Sequence, residues 1–143
     1  CDINRQFVKE SDDTEAQTVM ALLKGRAFDA CISFHEDPQL SEFYMYDTAE
    51  LLDDELAALR QGVVACGVGL FSGVDDPEDE FLGFDFVDGY RPHTGGDGEP
   101  KGPLETWLIR EGISKRVFGV EVPGKIAPNK KDAVVKRVFE CLC

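Results

Sequence analysis

The apolar positions of this sequence recur at two spacings, one typical of helices and one typical of buried strands. Helical spacing predicts four helices: one between Ser11 and Gly25, one from Thr48 to about Gly62, one from Pro103 to about Glu111, and a last one capped by Asn129. Strand patterns cover 29–35, 43–46 and 115–122. Residues 63–71 fit either a strand or a buried helix. Residues 72–102, rich in Gly, Pro and Asp, predict a long surface loop in which FDFVDGY is a candidate strand.

Strands that are separated by helices predict an α/β domain, with helices on both faces of a mostly parallel or mixed sheet. In such sheets, ligands bind beyond the carboxyl ends of the strands. His35 closes the first predicted strand, and Glu121 lies near the end of the last one. Both side chains are therefore placed where a site would form.

The composition narrows the classes of function. The chain has 143 residues, which fits one domain, and its formal net charge of −13 argues against binding to nucleic acid or to an anionic membrane. No apolar run approaches the ~20 residues that would span a bilayer. The five cysteines match no zinc-ribbon spacing and favour a reducing compartment, which we take to be the cytoplasm.

The negative charge is uneven along the chain. Residues 36–99 hold 17 acidic residues against two arginines. The densest run, DDPEDE at 75–80, suits either a calcium site or a solvated edge of the loop, and it lacks the regular ligand spacing of a calcium loop. If this run borders a site, its charge would favour basic or neutral substrates over acidic ones.

Two single residues and one adjacent pair are candidates for chemistry, each with an ordinary structural alternative. His35 is either a metal ligand or a structural histidine at a strand end. Glu121 lies in the apolar stretch VFGVEVPG, where a buried carboxylate would need a charged or hydrogen-bonding partner, whereas simple alternation would turn it to solvent. Asn4 and Arg5 offer amide and guanidinium donors that can hold a carboxylate, and a surface arginine is the alternative.

Four segments together are similar to the zinc carboxypeptidase family, the carboxypeptidase A-like metallopeptidases, whose superfamily includes succinylglutamate desuccinylase and aspartoacylase. DINRQF resembles the family's D-L-N-R-N-F segment, and TEAQTVMALL resembles the acidic helix that follows it. SFHEDP resembles the strand that carries the third zinc ligand. GPLETWLIREGISKRVFGVEVPGK resembles the stretch that leads into the strand with the catalytic glutamate.

The resemblance implies a partial zinc-carboxypeptidase-like fold and a zinc-dependent hydrolase. It implies that His35 is a zinc ligand and that Glu121 is the general base. Asn4 and Arg5 would hold the terminal carboxylate of the substrate, a peptide or a small acyl-amino acid. Zinc makes bound water a nucleophile near neutral pH, and the general base passes the water's proton to the leaving amine.

The sequence departs from the family in its first ligands. The family's H-x-x-E motif, which supplies two zinc ligands, lies upstream of the N-R pair and is absent from these residues, as is an upstream arginine that polarises the substrate carbonyl. We therefore expect residues 1–143 to be the C-terminal part of one catalytic domain, inactive as a fragment. Exposed apolar faces and strand edges would make it associate with itself or with the missing N-terminal half.

A second departure concerns the tyrosine that covers the substrate in carboxypeptidases. It would align near Gly98 and Glu99, where no tyrosine occurs, so Tyr90 and His93 are the substrate-binding candidates in its place. Two other functions stay open. One is a deacylase of small N-acyl amino acids, which differs only in the shape of its pocket. The other is a non-catalytic module for carboxylate binding or assembly, which would keep Asn4 and Arg5 but bind no metal.

Overall fold

The computed structural model describes residues 3–75, 83–94 and 102–143. These residues form a 3-10 turn (Ile3–Arg5) and the helices α1 (Thr14–Leu23), α2 (Asp53–Ala65), α3 (Leu104–Arg110) and α4 (Pro128–Leu142). Their strands are β1 (Cys31–Asp37), β2 (Glu42–Asp47), β3 (Gly69–Leu70), β4 (Gly73–Val74), β5 (Asp85–Phe86), β6 (Tyr90–Arg91) and β7 (Val117–Pro123).

Five of these strands form one mixed, mostly parallel sheet. Its order is β1-β7-β2-β3, and β6 pairs with β2 on the same edge as β3. β1 runs parallel to β7, whereas β2 runs antiparallel to β7. β4 and β5 form a separate two-stranded sheet. The predicted α/β class is confirmed.

Helices cover both faces of the sheet, and each face has its own apolar cluster. α2 and α4 pack on one face around buried residues such as Val120, Met45 and Val138. α1 and α3 pack on the other face around Trp107 and Val117. Because β7 is covered on both sides, six of its seven residues are buried instead of alternating between the interior and solvent.

One edge of the sheet is open in the part of the chain that the structure describes. β1 pairs there with β7 alone, and Phe34 on β1 is 38% exposed. An unpaired strand edge is a site where another strand can add. Association of the chain with itself or with further residues of the same fold stays a prediction. Among the described residues, no helix is long and apolar enough to cross a membrane.

The second helix begins five residues later than its sequence pattern predicts. Thr48 does not cap it, because the Thr48 hydroxyl accepts a hydrogen bond from the backbone N–H of Val117 on β7. The N–H of Leu51 donates to the hydroxyl of Tyr90. These contacts with distant residues hold 48–51 outside the helix, and α2 starts at Asp53.

The ambiguous segment 63–71 divides between two elements. Val63–Ala65 completes α2, and Gly69–Leu70 forms β3 beside β2. Of the acidic run at 75–80, the candidate calcium site or loop edge, only Asp75 is among the described residues. Gly98 and Glu99 also lie outside them.

Candidate active site

Three neighbouring strands place side chains in one row on the same face of the sheet. His35 on β1 is the register partner of Glu121 on β7, and Glu121 is the register partner of Tyr44 on β2. Register partners point to the same face, and neighbouring strands lie about 5 Å apart. The row lies towards the carboxyl ends of the parallel strands β1 and β7, where α/β sheets bind their ligands.

α3 brings a fourth side chain, Glu105, to this row. Its Cγ lies 3.8 Å from the position that a Cβ would take on Gly119, two residues before Glu121. Its Oε1 lies 2.7 Å from Nε2 of His35, and Oγ of Ser33 lies 2.9 Å from the same nitrogen. Burial raises the pKa of Glu105, but the hydrogen bonds from His35 and Ser33 outweigh it and lower that pKa to about 2. Glu105 is therefore an anion that accepts hydrogen bonds.

Glu121 has the opposite electrostatic environment. It is half-buried in the otherwise buried β7, and this burial raises its pKa to about 7. His35 lowers the pKa of Glu121, whereas the nearby carboxylates of Asp37 and Glu105 raise it. A carboxyl group whose pKa lies near neutral pH can both accept and return a proton.

Two tyrosines of β2 form a wall beside Glu121. The hydroxyl of Tyr44 donates to Asp37 over 2.9 Å, and the hydroxyl of Tyr46 donates to Asp75. Both carboxylates also accept backbone N–H groups of adjoining turns, so they hold the loops in place. The ring of Phe86 packs edge-on against both tyrosines, with centroids 4.8 and 5.0 Å away. This wall of the site is aromatic, and hydrogen bonds hold both of its hydroxyl groups.

The N-terminal 3-10 turn docks against the start of α3. Oδ1 of Asn4 accepts the N–H of Leu104 over 2.9 Å, and Nδ2 of Asn4 lies 3.5 Å from Oε2 of Glu105. Arg5 follows in the same turn and is half-buried. The structure thus links Asn4 to His35 through a single carboxylate, that of Glu105.

Tyr90 and His93 are not brought to this row. Tyr90 pairs with Met45 and packs into the cluster on the opposite face of the sheet, where its hydroxyl donates to Asp47 over 2.6 Å. His93 is exposed, and its Nε2 lies 3.4 Å from Oε2 of Glu50. Glu50 follows the C-terminal end of β2. Tyr90 is separated from Glu121 because it shares the face of Met45, and side chains alternate between the two faces along β2. His93 is separated from Glu121 because it lies beside Glu50, after the end of β2.

Several residues of the row were not candidates from the sequence. Ser33 and Asp37 share the face of His35 because side chains alternate along a strand, so the strand pattern of SFHEDP contained a usable signal. The spacing of Tyr44 and Tyr46 contained the same signal for β2. Glu105 gave none, because it lies 70 residues from His35 in the sequence.

The donor atoms around His35 show how far the described residues could hold a metal ion. One imidazole and nearby carboxylates are suitable ligand types for zinc. Within residues 3–75, 83–94 and 102–143, however, no group of three or more His, Cys, Asp or Glu is arranged to hold a metal ion. These residues supply part of a donor set, with His35 as the only imidazole in the row.

No protein-family model matches the chain, and no curated protein matches it. Solved structures do. A "putative metallopeptidase" from Shewanella denitrificans OS217 superposes with a TM-score of 0.70 at 18% identity, over 97% of this chain and 50% of that one. Structures of the same description from Shewanella amazonensis SB2B and Shewanella baltica OS155 give TM-scores of 0.65 and 0.69 at 14% and 17% identity. These two matches cover 92% and 96% of this chain, and 47% and 52% of the two Shewanella chains.

The chain spans about half the length of these structures. At this level of identity the match concerns the fold, and it covers nearly the whole of this chain. The described residues therefore have the α/β fold of about half of a metallopeptidase-like structure.

Proposed function

We propose that this chain is the part of a zinc-dependent, carboxypeptidase-like hydrolase domain that carries one metal ligand, the general base and the carboxylate-binding residues. The observation that carries the proposal is the pairing of His35 with Glu121 across β1 and β7. The ligand and the base of a metallohydrolase must both reach one water molecule, and register partners on one face of a sheet satisfy that requirement.

In this proposal His35 is a ligand, and the remaining ligands come from residues outside the 143. The fold match supports this, since about half of each Shewanella structure has no counterpart here. Zinc would supply an activated water and polarise the scissile carbonyl. Residues 1–143 would form the C-terminal part of a single catalytic domain, inactive without the rest.

Glu121 is suited to the proton transfers of amide hydrolysis. It would take a proton from the attacking water and return it to the leaving amine, which departs as the carbonyl carbon gains the hydroxyl. Tyr44 on β2 lies beside the carboxyl group of Glu121 as its register partner. The carboxyl can alternate between its two protonation states near pH 7, because burial raises its pKa to about 7.

Asn4 and Arg5 would bind the free carboxylate of a peptide or a small acyl-amino acid. Arg5 offers a planar set of donors that matches a carboxylate. Nδ2 of Asn4 lies 3.5 Å from Oε2 of Glu105, which contacts His35, and this proximity of the 3-10 turn to the row supports the proposed role. Tyr90 and His93 are less suited to substrate binding, since Tyr90 bonds to Asp47 on the other face.

The test uses the gene product that carries this chain, loaded with zinc, and amides with either a free or an amidated C-terminus. Glu121→Gln should lower kcat by roughly 10²–10⁴-fold, the usual share of general acid–base catalysis. Arg5→Ala should raise KM for the free carboxylate and leave the amidated substrate unchanged. Glu36→Gln, an acid-to-amide change on the other face of β1, is the control. Equal cleavage by wild type and Glu121→Gln would remove Glu121 from the base role.

A non-catalytic module for carboxylate binding or assembly is the second candidate. The observation that favours it is the absence of a three-ligand group among the described residues. Metal analysis of the purified gene product, combined with calorimetry using a carboxylate-terminated peptide, separates the two. Binding that is lost in Arg5→Ala, without bound zinc and without hydrolysis, would support the module.

A further inference from the structure

Arg91 places a guanidinium group on the same face of the sheet as the proposed site. It is the register partner of Tyr46 on β2, which is the register partner of Gly119 on β7. Gly119 precedes Glu121 by two residues and therefore lies on the same face. Together, Gly119, Tyr46 and Arg91 form a second row on that face. The guanidinium carbon of Arg91 lies 4.6 Å from the ring centroid of Phe84, and this ring packs edge-on against Tyr46.

One edge of this guanidinium group has unused donors. Nη1 of Arg91 donates to the carbonyl oxygen of Asp85 over 3.2 Å. The other edge, formed by Nε and Nη2, makes no hydrogen bond with the described residues, and Nε is buried. A buried N–H group without an acceptor is unfavourable, and folded proteins pair nearly all such groups. A bound acceptor would therefore complete this edge of Arg91.

Two other arginines use the same edge to bind pairs of oxygen atoms. Nε and Nη2 of Arg116 donate to the two carboxylate oxygens of Asp47 over 3.0 and 2.6 Å. Nε and Nη2 of Arg60 donate to the carbonyl oxygens of Asp88 and Val87. The two N–H groups of this edge are parallel and match the two oxygens of a carboxylate. The unused edge in the second row is suited to the same kind of acceptor.

No carboxylate of the described residues forms an ion pair with Arg91, although residues 36–99 hold 17 acidic residues against two arginines. Asp75 bonds to the neighbouring Tyr46, but its carboxylate also accepts the N–H groups of Gly83 and Phe84. Its hydrogen bonds are directed to these donors and not to the guanidinium group. Within the described part of the chain, Arg91 is thus a cation without a counter-charge beside the proposed site.

We propose that Arg91 binds a carboxylate on a side chain of the substrate and makes the site selective for acidic substrates. The inference rests on the proposed function, which places the scissile amide beside Glu121. Arg91 on β6 is two strands from Gly119, so their backbones are about 10 Å apart, a distance that two side chains can bridge. β6 and β1 lie on opposite sides of β7, so this carboxylate differs from the terminal one proposed for Asn4 and Arg5.

The first measurement is hydrolysis of matched peptides by the zinc-loaded gene product that carries this chain. The peptides differ only in one side chain, Glu, Gln or Lys, on either side of the scissile bond. For one of the two positions, wild type should have a kcat/KM about 10–100-fold higher with Glu than with Gln, the usual effect of hydrogen bonds to a charged group. Arg91→Met should lower this ratio towards one, mainly through KM. Arg91→Lys, which keeps the charge but not the paired donors, should retain part of it.

Arg60→Met is the matched control. Arg60 also holds the segment that leads to β6, but its edge is occupied by carbonyl oxygens, so the variant should keep the wild-type ratio. An equal loss with the Glu and Gln peptides in Arg91→Met would mean that Arg91 only packs against Phe84, and it overturns the selectivity. A wild-type preference for Lys also overturns it, because the acidic run at 75–80 would then dominate.

The second measurement is calorimetric binding of the same peptides to the metal-free gene product, which does not depend on hydrolysis. Tighter binding of the Glu peptide by wild type, but not by Arg91→Met, supports the carboxylate site even if no peptide is cleaved, and the proposed function alone then fails. Cleavage without a preference for Glu in either measurement overturns the inference and leaves the proposed function intact. If no peptide is bound or cleaved, both are overturned. The wild-type readouts need no variant that might misfold.

Discussion

His35 and Glu121 are register partners on adjacent parallel strands, and both side chains lie on the face of the sheet that α3 crosses. Burial raises the pKa of Glu121, and His35 beside it lowers that pKa. The structure thus joins an imidazole, held by Glu105, to a carboxylate that ionises near neutral pH.

Glu121 should make the stability of the chain depend on pH. Its pKa is raised from the ordinary value of 4.5 to about 7, so between these values the folded state binds more protons than the unfolded state. The free energy of unfolding therefore falls as the pH rises from about 4.5 to about 7. Glu121→Gln should remove this fall and stabilise the metal-free protein at pH 8 by about 1–3 kcal/mol. Urea unfolding at pH 4 and pH 8 measures it.

The pH 4 data are the internal control, because Glu121 is then protonated in both states and resembles glutamine. The stabilisation should therefore be absent at pH 4 and present at pH 8. A Glu121→Gln variant that is less stable than wild type at pH 8 would contradict the raised pKa.

Arg116 should stabilise the fold through Asp47. Asp47 is fully buried, and Arg116 donates two hydrogen bonds to it, 3.0 and 2.6 Å long, while Tyr90 donates a third. Arg116→Met leaves a buried carboxylate without its cation and should cost about 3 kcal/mol, the low end for a buried pair because Arg116 is 25% exposed. Denaturant unfolding measures it.

The neighbouring lysine provides the matched control. Lys115 forms an ion pair with Asp29 in which both side chains are almost fully exposed. Lys115→Met should leave stability within error, because solvent screens such pairs. Equal losses in the two variants would mean that net charge, and not the buried network, explains the effect.

Gly102 should be required for docking of the N-terminal turn. Its φ is +141°, and a Cβ there would lie 2.6 Å from the carbonyl oxygen of Arg5. Gly102→Ala should therefore cost about 3 kcal/mol or more and accelerate amide exchange at Phe7, whose N–H donates to the carbonyl of Gly102. Hydrogen exchange with mass spectrometry detects this.

Gly112→Ala separates backbone strain from the steric clash. Gly112 also has a positive φ, +65°, but nothing lies within 4 Å of the position of its Cβ. That variant should lose roughly 1–2 kcal/mol from strain alone, with exchange at Phe7 unchanged. If both variants accelerate exchange at Phe7 equally, the close approach of Arg5 to Gly102 is not what holds the turn.

Leu59 on α2 should contribute more to stability than Leu22 on α1. It is 1% exposed within the cluster of α2 and α4, so Leu59→Ala leaves a cavity and should cost about 2–5 kcal/mol. Leu22→Ala makes the same change at a site on α1 that is 64% exposed, and it should cost less than about 0.5 kcal/mol. Thermal or urea unfolding of the pair measures the difference, and similar losses would contradict the assignment of the core.

Much of the secondary structure could be predicted from local patterns. β1, β2, β7 and the four helices lie where the apolar spacing places them, within a few residues at most ends. Two predicted caps are wrong. α4 begins at Pro128, after Ala127, so Asn129 lies within its first turn. The error at Thr48 has a tertiary cause, since its hydroxyl binds the backbone of β7 instead of capping α2. A local capping signal cannot anticipate a competing partner that lies 69 residues away.

The sequence by itself determined the α/β class, the ends of the strands that carry His35 and Glu121, and the positions of the apolar helix faces, because burial on one face produces a periodic pattern along the chain. Only the tertiary structure decided that His35 and Glu121 are partners, that Glu105 lies against the imidazole, and that Tyr90 faces away. These relationships depend on strand order and register, which bring distant residues together and leave no periodic pattern in the sequence.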